Sequence, residues 1–111
     1  MKLLNAIYND FFHYIEGKEV ICYGAGNLLR DVEVELEHLP GYCRSICIVD
    51  GDLSKQGNII EVFGNNYVIE NPKVVFESAA VNSVVLITSM EFVQILRNIE
   101  SYLDCKYDIF I

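Results

Sequence analysis

Basic residues are scarce in this chain: eight Lys and Arg stand against sixteen Asp and Glu, a formal net charge of -8. The eight cations, Lys2, Lys18, Arg30, Arg44, Lys55, Lys73, Arg97 and Lys106, are scattered, so no patch exists to offset a phosphate backbone and nucleic acid is excluded as a partner. No apolar run approaches the length of a membrane span. The opening segment MKLLNAIYNDFFHYIEG is broken by Asn9, Asp10, His13 and Glu16, which excludes a signal peptide. From these absences the expectation is a soluble, cytoplasmic protein. Repeats, linkers and low-complexity segments are also lacking, which at 111 residues leaves one domain.

Histidine is nearly absent too. His13 lies beside Phe12 and Tyr14, and His38 ends an acidic segment, where a cation suits a helix C-terminus; neither has a nucleophile or base near it in sequence. Cys43-x3-Cys47 has no second ligand pair at zinc spacing, and no metal is expected. Cys22 and Cys47 sit within apolar runs, so the four cysteines, with Cys43 and Cys105, read as reduced core thiols.

What is present is alternation of strand and helix. Residues 3–16 have the apolar spacing of an amphipathic helix, which sets off 1–17 from a domain over 18–111. EVICY is a buried strand, residues 28–39 return to helical spacing, and Pro40-Gly41 ends that helix. SICIVD is a second buried strand and NYVIE a short third; Pro72 suits the first turn of a helix over 72–79. SVVLITS is the fourth strand. Thr88 and Glu91 have capping-box spacing for a helix carrying Phe92, Leu96, Ile99 and Leu103, and YDIFI closes the chain. The fold class is therefore α/β: three layers, with an open, mainly parallel sheet in the order 3-2-1-4-5 and an extra N-terminal helix. The chain ends within an apolar strand, as a domain of a longer protein would.

Between the first strand and its helix lies Gly24-Ala25-Gly26-Asn27. In a dinucleotide-binding turn the first glycine lets the chain bend sharply and the second lets backbone approach a pyrophosphate. The third small position holds Leu29, which is expected to push the helix outward and narrow the phosphate site. Asp50 ends the second strand roughly 20 residues on, where such a domain places the acid that accepts a ribose hydroxyl; that acid disfavours a 2′-phosphate, so NADP ranks lowest. Asp50 equally suits the opening of a turn. Arg30 is placed either to reach a phosphate or to pair with Asp31, Glu33 or Glu35 along its helix.

Two other patterns overlap Asp50. DGDLSKQGNIIE imitates a calcium loop but has Lys55 where glycine is required. Asp50-Gly51-Asp52 after a strand, with Thr88 or Ser89 ending a later one, resembles haloacid-dehalogenase-type phosphatases, which use the first acid as nucleophile, the second as general acid, and magnesium. That resemblance further requires a lysine, for which Lys106 is the candidate, and a second acidic cluster that the sequence lacks.

The stretches ICYGAGNLLRD, ICIVDGDLSKQG, VFGNNYVIENP and VVLITS together resemble a small Rossmann-like domain attached to bacterial surface-polysaccharide enzymes: glycosyltransferases, sugar acetyltransferases and methyltransferases. Tyr23, Gly24, Ala25, Gly26, Asn27 and Arg30 match one motif, and Val49, Asp50, Asp52, Lys55, Gln56 and Gly57 the other. The resemblance covers residues 18–111. It implies a nucleotide or nucleotide-sugar module, NAD among the candidates, without catalysis alone and with chemistry supplied by a neighbouring domain. The expected site is Gly24, Ala25, Gly26, Asn27, Arg30, Asp50, Asp52, Thr88 and Ser89. The rival expectation is a ligand-free scaffold docking a catalytic partner through Tyr8, Phe11, Phe12, Tyr14, Tyr102, Tyr107 and Phe110, with self-association left open. The two part at the Gly24–Leu29 loop, which is either open or filled by Leu28 and Leu29.

Overall fold

Apolar runs without a polar face need cover on both sides. The computed structural model describes residues 2–4, 11–78, 83–102 and 108–110. In chain order these form β1 (Lys2–Leu4), α1 (Phe11–Tyr14), β2 (Glu19–Tyr23), α2 (Asn27–Val32), α3 (Leu39–Tyr42), β3 (Ser45–Val49), β4 (Ile59–Val62), β5 (Asn65–Glu70), α4 (Pro72–Ser78), β6 (Val84–Ile87), α5 (Phe92–Tyr102) and β7 (Asp108–Phe110). Tyr8, Leu103, Cys105, Lys106 and Tyr107 lie outside the described residues.

Alternate residues of the central strands sort onto two cores. Val20 and Cys22 of β2, Ile48 of β3 and Val84 and Leu86 of β6 join Phe11, Ile15, Leu29 and Leu39 on one side. Ile21, Tyr23, Val49, Val85 and Ile87 meet Phe76 of α4 and Ile95 of α5 on the other. The result is a three-layer α/β/α arrangement, as expected. Phe11 is core, and Phe12 and Tyr14, partly buried, pack against it.

The sheet order is β1-β7-β6-β2-β3-β5-β4. The five strands read from sequence keep their relative order within it, but two added strands change the whole. β4 pairs antiparallel with β5 through a two-residue turn, Phe63-Gly64, in which both residues have positive φ (56° and 77°). A bulky residue is strained there; Phe63, only 8% exposed, is held in place by its packing within the core. All other pairings are parallel.

β1 corrects the N-terminal helix: Lys2–Leu4 pairs with Asp108–Phe110 instead of continuing the helix, which is seen only over Phe11–Tyr14. An unpaired β7 edge offers a strand more backbone hydrogen bonds than helical periodicity alone can outweigh. The helix expected over 28–39 is also shorter. α2 ends at Val32, residues 33–38 are turn, and α3 takes in Pro40 and Gly41 rather than stopping before them. Glu33 and Glu37 would repel at i, i+4, and the turn delivers Leu39 into the core, fully buried.

At the N-terminal ends of the strands the Glu19 carboxylate of β2 ties two neighbours. Ser45 Oγ donates to Glu19 Oε2 (3.2 Å) and Ser83 Oγ to Glu19 Oε1 (3.3 Å), linking the starts of β3 and β6 to β2. Among the described residues no helix is long and apolar enough to cross a membrane.

Burial pushes the Cys22 thiol up to about 12, with Cys43 adding to the shift. The thiol is therefore neutral in the native state, and its contribution to stability holds below the ordinary thiol range and is lost as pH rises toward that value. Iodoacetamide at pH 8 should leave Cys22 unmodified in the native protein and label it in urea. Rapid native labelling, read by peptide mass spectrometry, would place Cys22 at the surface.

Candidate functional site

Strand order reverses at β2, where β3 lies on one side and β6 on the other, all three parallel, and the strand tips there form the crevice used by open α/β sheets. Gly24 closes its floor. Gly24 N–H donates to Val49 C=O (2.8 Å), Thr88 N–H to Tyr23 C=O (3.0 Å) and Thr88 Oγ1 to Gly24 C=O (2.7 Å). The φ of Gly24 is +127°, and a Cβ there would lie 2.6 Å from Thr88 O and 2.8 Å from Ser89 Cβ. No side chain fits.

The same contacts correct the capping box. The Thr88 hydroxyl is buried and committed to Gly24, whereas Ser89 Oγ accepts the Glu91 N–H (3.2 Å) and α5 begins after Glu91. Thr88 is thus a tie between strand tips. Among the described side chains of α5, Ile95, absent from the expected apolar face, is buried, with Leu96 half-buried beside it.

Asp50, half-buried at the end of β3, reaches across to the glycine turn. Ala25 N–H donates to its Oδ2 (2.9 Å) and Asp52 N–H to its Oδ1 (2.8 Å). Lys55 Nζ stands 3.8 Å from the same Oδ2. Asp52 in turn shapes the loop, accepting Ser54 N–H (2.9 Å) and Ser54 Oγ–H (2.7 Å) at Oδ1. Those bonds from Ser54 hold the Asp52 carboxyl below its ordinary value. Lys55 N–H and Gln56 N–H then fold back onto Asp52 C=O at 3.0 and 3.3 Å, forming one helical turn.

Gln56 explains the rest of the motif. Its Nε2 donates to Asp50 C=O (2.9 Å), and its Oε1 accepts from Asn71 Nδ2 (3.3 Å). Asn71 Oδ1 accepts the Lys73 N–H (2.9 Å), capping α4 ahead of Pro72. The tip of β3, the loop and the start of α4 are therefore one hydrogen-bonded unit.

Gly24, Gly26, Asn27, Leu28, Asp50, Asp52, Lys55, Thr88, Ser89, Met90 and Glu91 line a cleft of about 320 Å³. That lies near the small end of ligand pockets, which run from about 300 to 1,000 Å³. Of the expected residues, Gly24, Gly26, Asn27, Asp50, Asp52, Thr88 and Ser89 come together here, and Ala25 adjoins through its bond to Asp50.

Arg30 does not line the cleft. Its Nη1 donates to Glu61 C=O of β4 and pairs with Glu33 at 3.5 Å, so the intrahelical alternative holds. Leu29 turns under α2 into the core, fully buried, and does not narrow the cleft; Leu28 stands at its rim. The loop is therefore open. Leu28, Lys55, Met90 and Glu91 line the cleft but were not in the expected set; of these Lys55 was marked by its place in the resembling motif. No side chain caps α2, whose N-cap is Gly26. Both Asp50 oxygens already accept backbone N–H bonds, which ill suits a phosphatase nucleophile.

A wider depression of about 490 Å³ lies by the starts of β3 and β5, among Glu37, His38, Pro40, Gly41, Tyr42 and Phe63. It has neither the glycine turn nor a lysine.

No protein family model matches the chain, and no curated protein matches it in sequence. Solved structures do match in fold. Aspartate semialdehyde dehydrogenase II from Vibrio cholerae, complexed with ASA, superposes with a TM-score of 0.59 at 11% identity, over 86% of this chain and 31% of that one. A probable aspartate-semialdehyde dehydrogenase from Pseudomonas aeruginosa gives 0.57 at 9% identity, over 85% and 27%. The chain thus spans about a third or less of the length of these enzymes and shares with them a Rossmann-like fold.

Gly24→Ala should lower stability by about 2–4 kcal/mol, because strain and a backbone clash coincide. Gly26→Ala, whose Cβ would meet only Lys55 Nζ at 3.4 Å, should change it by less than about 1 kcal/mol. Urea denaturation distinguishes the two; equal effects would refute the tight floor.

Proposed function

We propose that this chain is a nucleotide-binding Rossmann-like module that seats a phosphate over the Gly24–Asn27 turn. The carrying observation is the cleft itself: a glycine turn, an acid on the adjacent strand tip and a lysine converge at the point where strand order reverses. The fold shared with the dehydrogenases supports this reading, since doubly wound sheets of this kind hold nucleotides at that crevice.

The ligand is NAD or a nucleotide-sugar. The module supplies binding rather than chemistry. Its reaction comes from a neighbouring domain, of the surface-polysaccharide kind that the motifs resemble.

Calorimetric titration with NAD, NADP, UDP, GDP and nucleotide-sugars at low salt tests the reading. Saturable binding by one ligand class is expected. Gly26→Asp should reduce affinity by about a hundredfold or more by placing a carboxylate on the phosphate seat. Aspartate is a favoured N-cap, so the variant should remain within about 1 kcal/mol of native stability. Unchanged affinity in the folded variant would reject the site.

A further inference from the structure

The charges that line the cleft are unequal: Asp50, Asp52 and Glu91 against Lys55. An anionic ligand therefore depends on where Lys55 stands. Its Nζ lies 3.8 Å from Asp50 Oδ2, beyond a well-formed N–H···O bond, and 3.4 Å from where a Cβ on Gly26 would be. The ammonium thus sits between a carboxylate and the bare face of the glycine turn. It is 40% exposed, against 16% for Asp50, so an incoming anion reaches the lysine from solvent without displacing packed side chains.

Asp50, meanwhile, is already engaged. In dinucleotide-binding domains the acid at this strand end accepts a ribose hydroxyl. Here its two oxygens accept Ala25 N–H and Asp52 N–H, which direct the carboxylate into the turn and the following loop.

Resting on the nucleotide reading, we propose that Lys55 is the phosphate-binding side chain of this cleft and that Asp50 is its positioning residue, not a ribose acceptor. Asp50 fixes the turn through Ala25 and keeps Lys55 over Gly26. A phosphate entering beside Gly26 takes the ammonium as a charge-assisted partner, while Asp50 keeps its two backbone donors. Gly26 is needed because a larger residue would fill the space between the phosphate and Nζ.

The test is an amide-resolved NMR titration of wild type, Lys55→Arg and Lys55→Met with inorganic pyrophosphate, NAD and UDP, at low and high salt. In wild type, pyrophosphate should shift the amides of residues 25–28 and of the 52–58 loop. Lys55→Met should bind about tenfold or more weakly with little remaining salt dependence, and Lys55→Arg should bind within about threefold of wild type. If Lys55→Met binds as tightly as wild type, or wild type binds a nucleotide but not pyrophosphate, the assignment of Lys55 fails and the nucleotide reading stands. If none of the three probes shifts those amides in wild type, both fail.

Discussion

The hydrogen bond from Ala25 N–H to the Asp50 carboxylate is the interaction on which the upper end of this molecule depends. It crosses from the turn after β2 to the tip of β3 and fixes the glycine turn against the neighbouring strand. Without it the turn would be tied to β3 only by the Gly24 N–H bond to Val49 C=O. A carboxylate accepting two backbone N–H bonds in a half-buried setting is a strong internal anchor, because each bond is charge-assisted. The same carboxylate stands beside Lys55, so a single side chain sets both the shape of the site and, among the described residues, its basic contact.

The anchor has an electrostatic consequence. A glycine turn at the head of a long helix gathers positive potential from aligned amides, but α2 has six residues and no capping side chain. Its dipole contributes little, and Ala25 N–H is already given to Asp50. Under the proposed function, positive charge for a phosphate comes from a side chain, and among the described residues lining the cleft Lys55 is the basic one. The Asp52 turn and the Gln56–Asn71 bridge hold that lysine's backbone in place, so the motif that follows β3 acts as a scaffold for one ammonium.

Much of the architecture was legible in the sequence because it rests on period and punctuation. EVICY, SICIV and VVLI are runs too apolar for a one-faced strand, and each became a central parallel strand. Gly24, Gly26 and Asp50 were read to one crevice and meet there. What escaped depended on contacts between distant segments. Lys2–Leu4 became a strand through Asp108–Phe110, and the Phe63-Gly64 hairpin lacks the usual asparagine or aspartate before its glycine. The side-chain roles were harder still. Arg30 could not be assigned to Glu61 before β4 was known, and Asp50 had the right place for a ribose acceptor while its bonds to Ala25 and Asp52 are visible only in three dimensions.

Whether an internal carboxylate preorganises this cleft is measured most directly by hydrogen exchange at single amides in the ligand-free protein. Ala25 N–H and Asp52 N–H are followed in wild type and in Asp50→Asn. Both amides should be protected in wild type and exchange at least about tenfold faster in the variant, with the strand amides of β2 and β6 unchanged. Equal exchange at Ala25 in the two proteins would show that Asp50 does not hold the turn, and would contradict the account of the site built upon it.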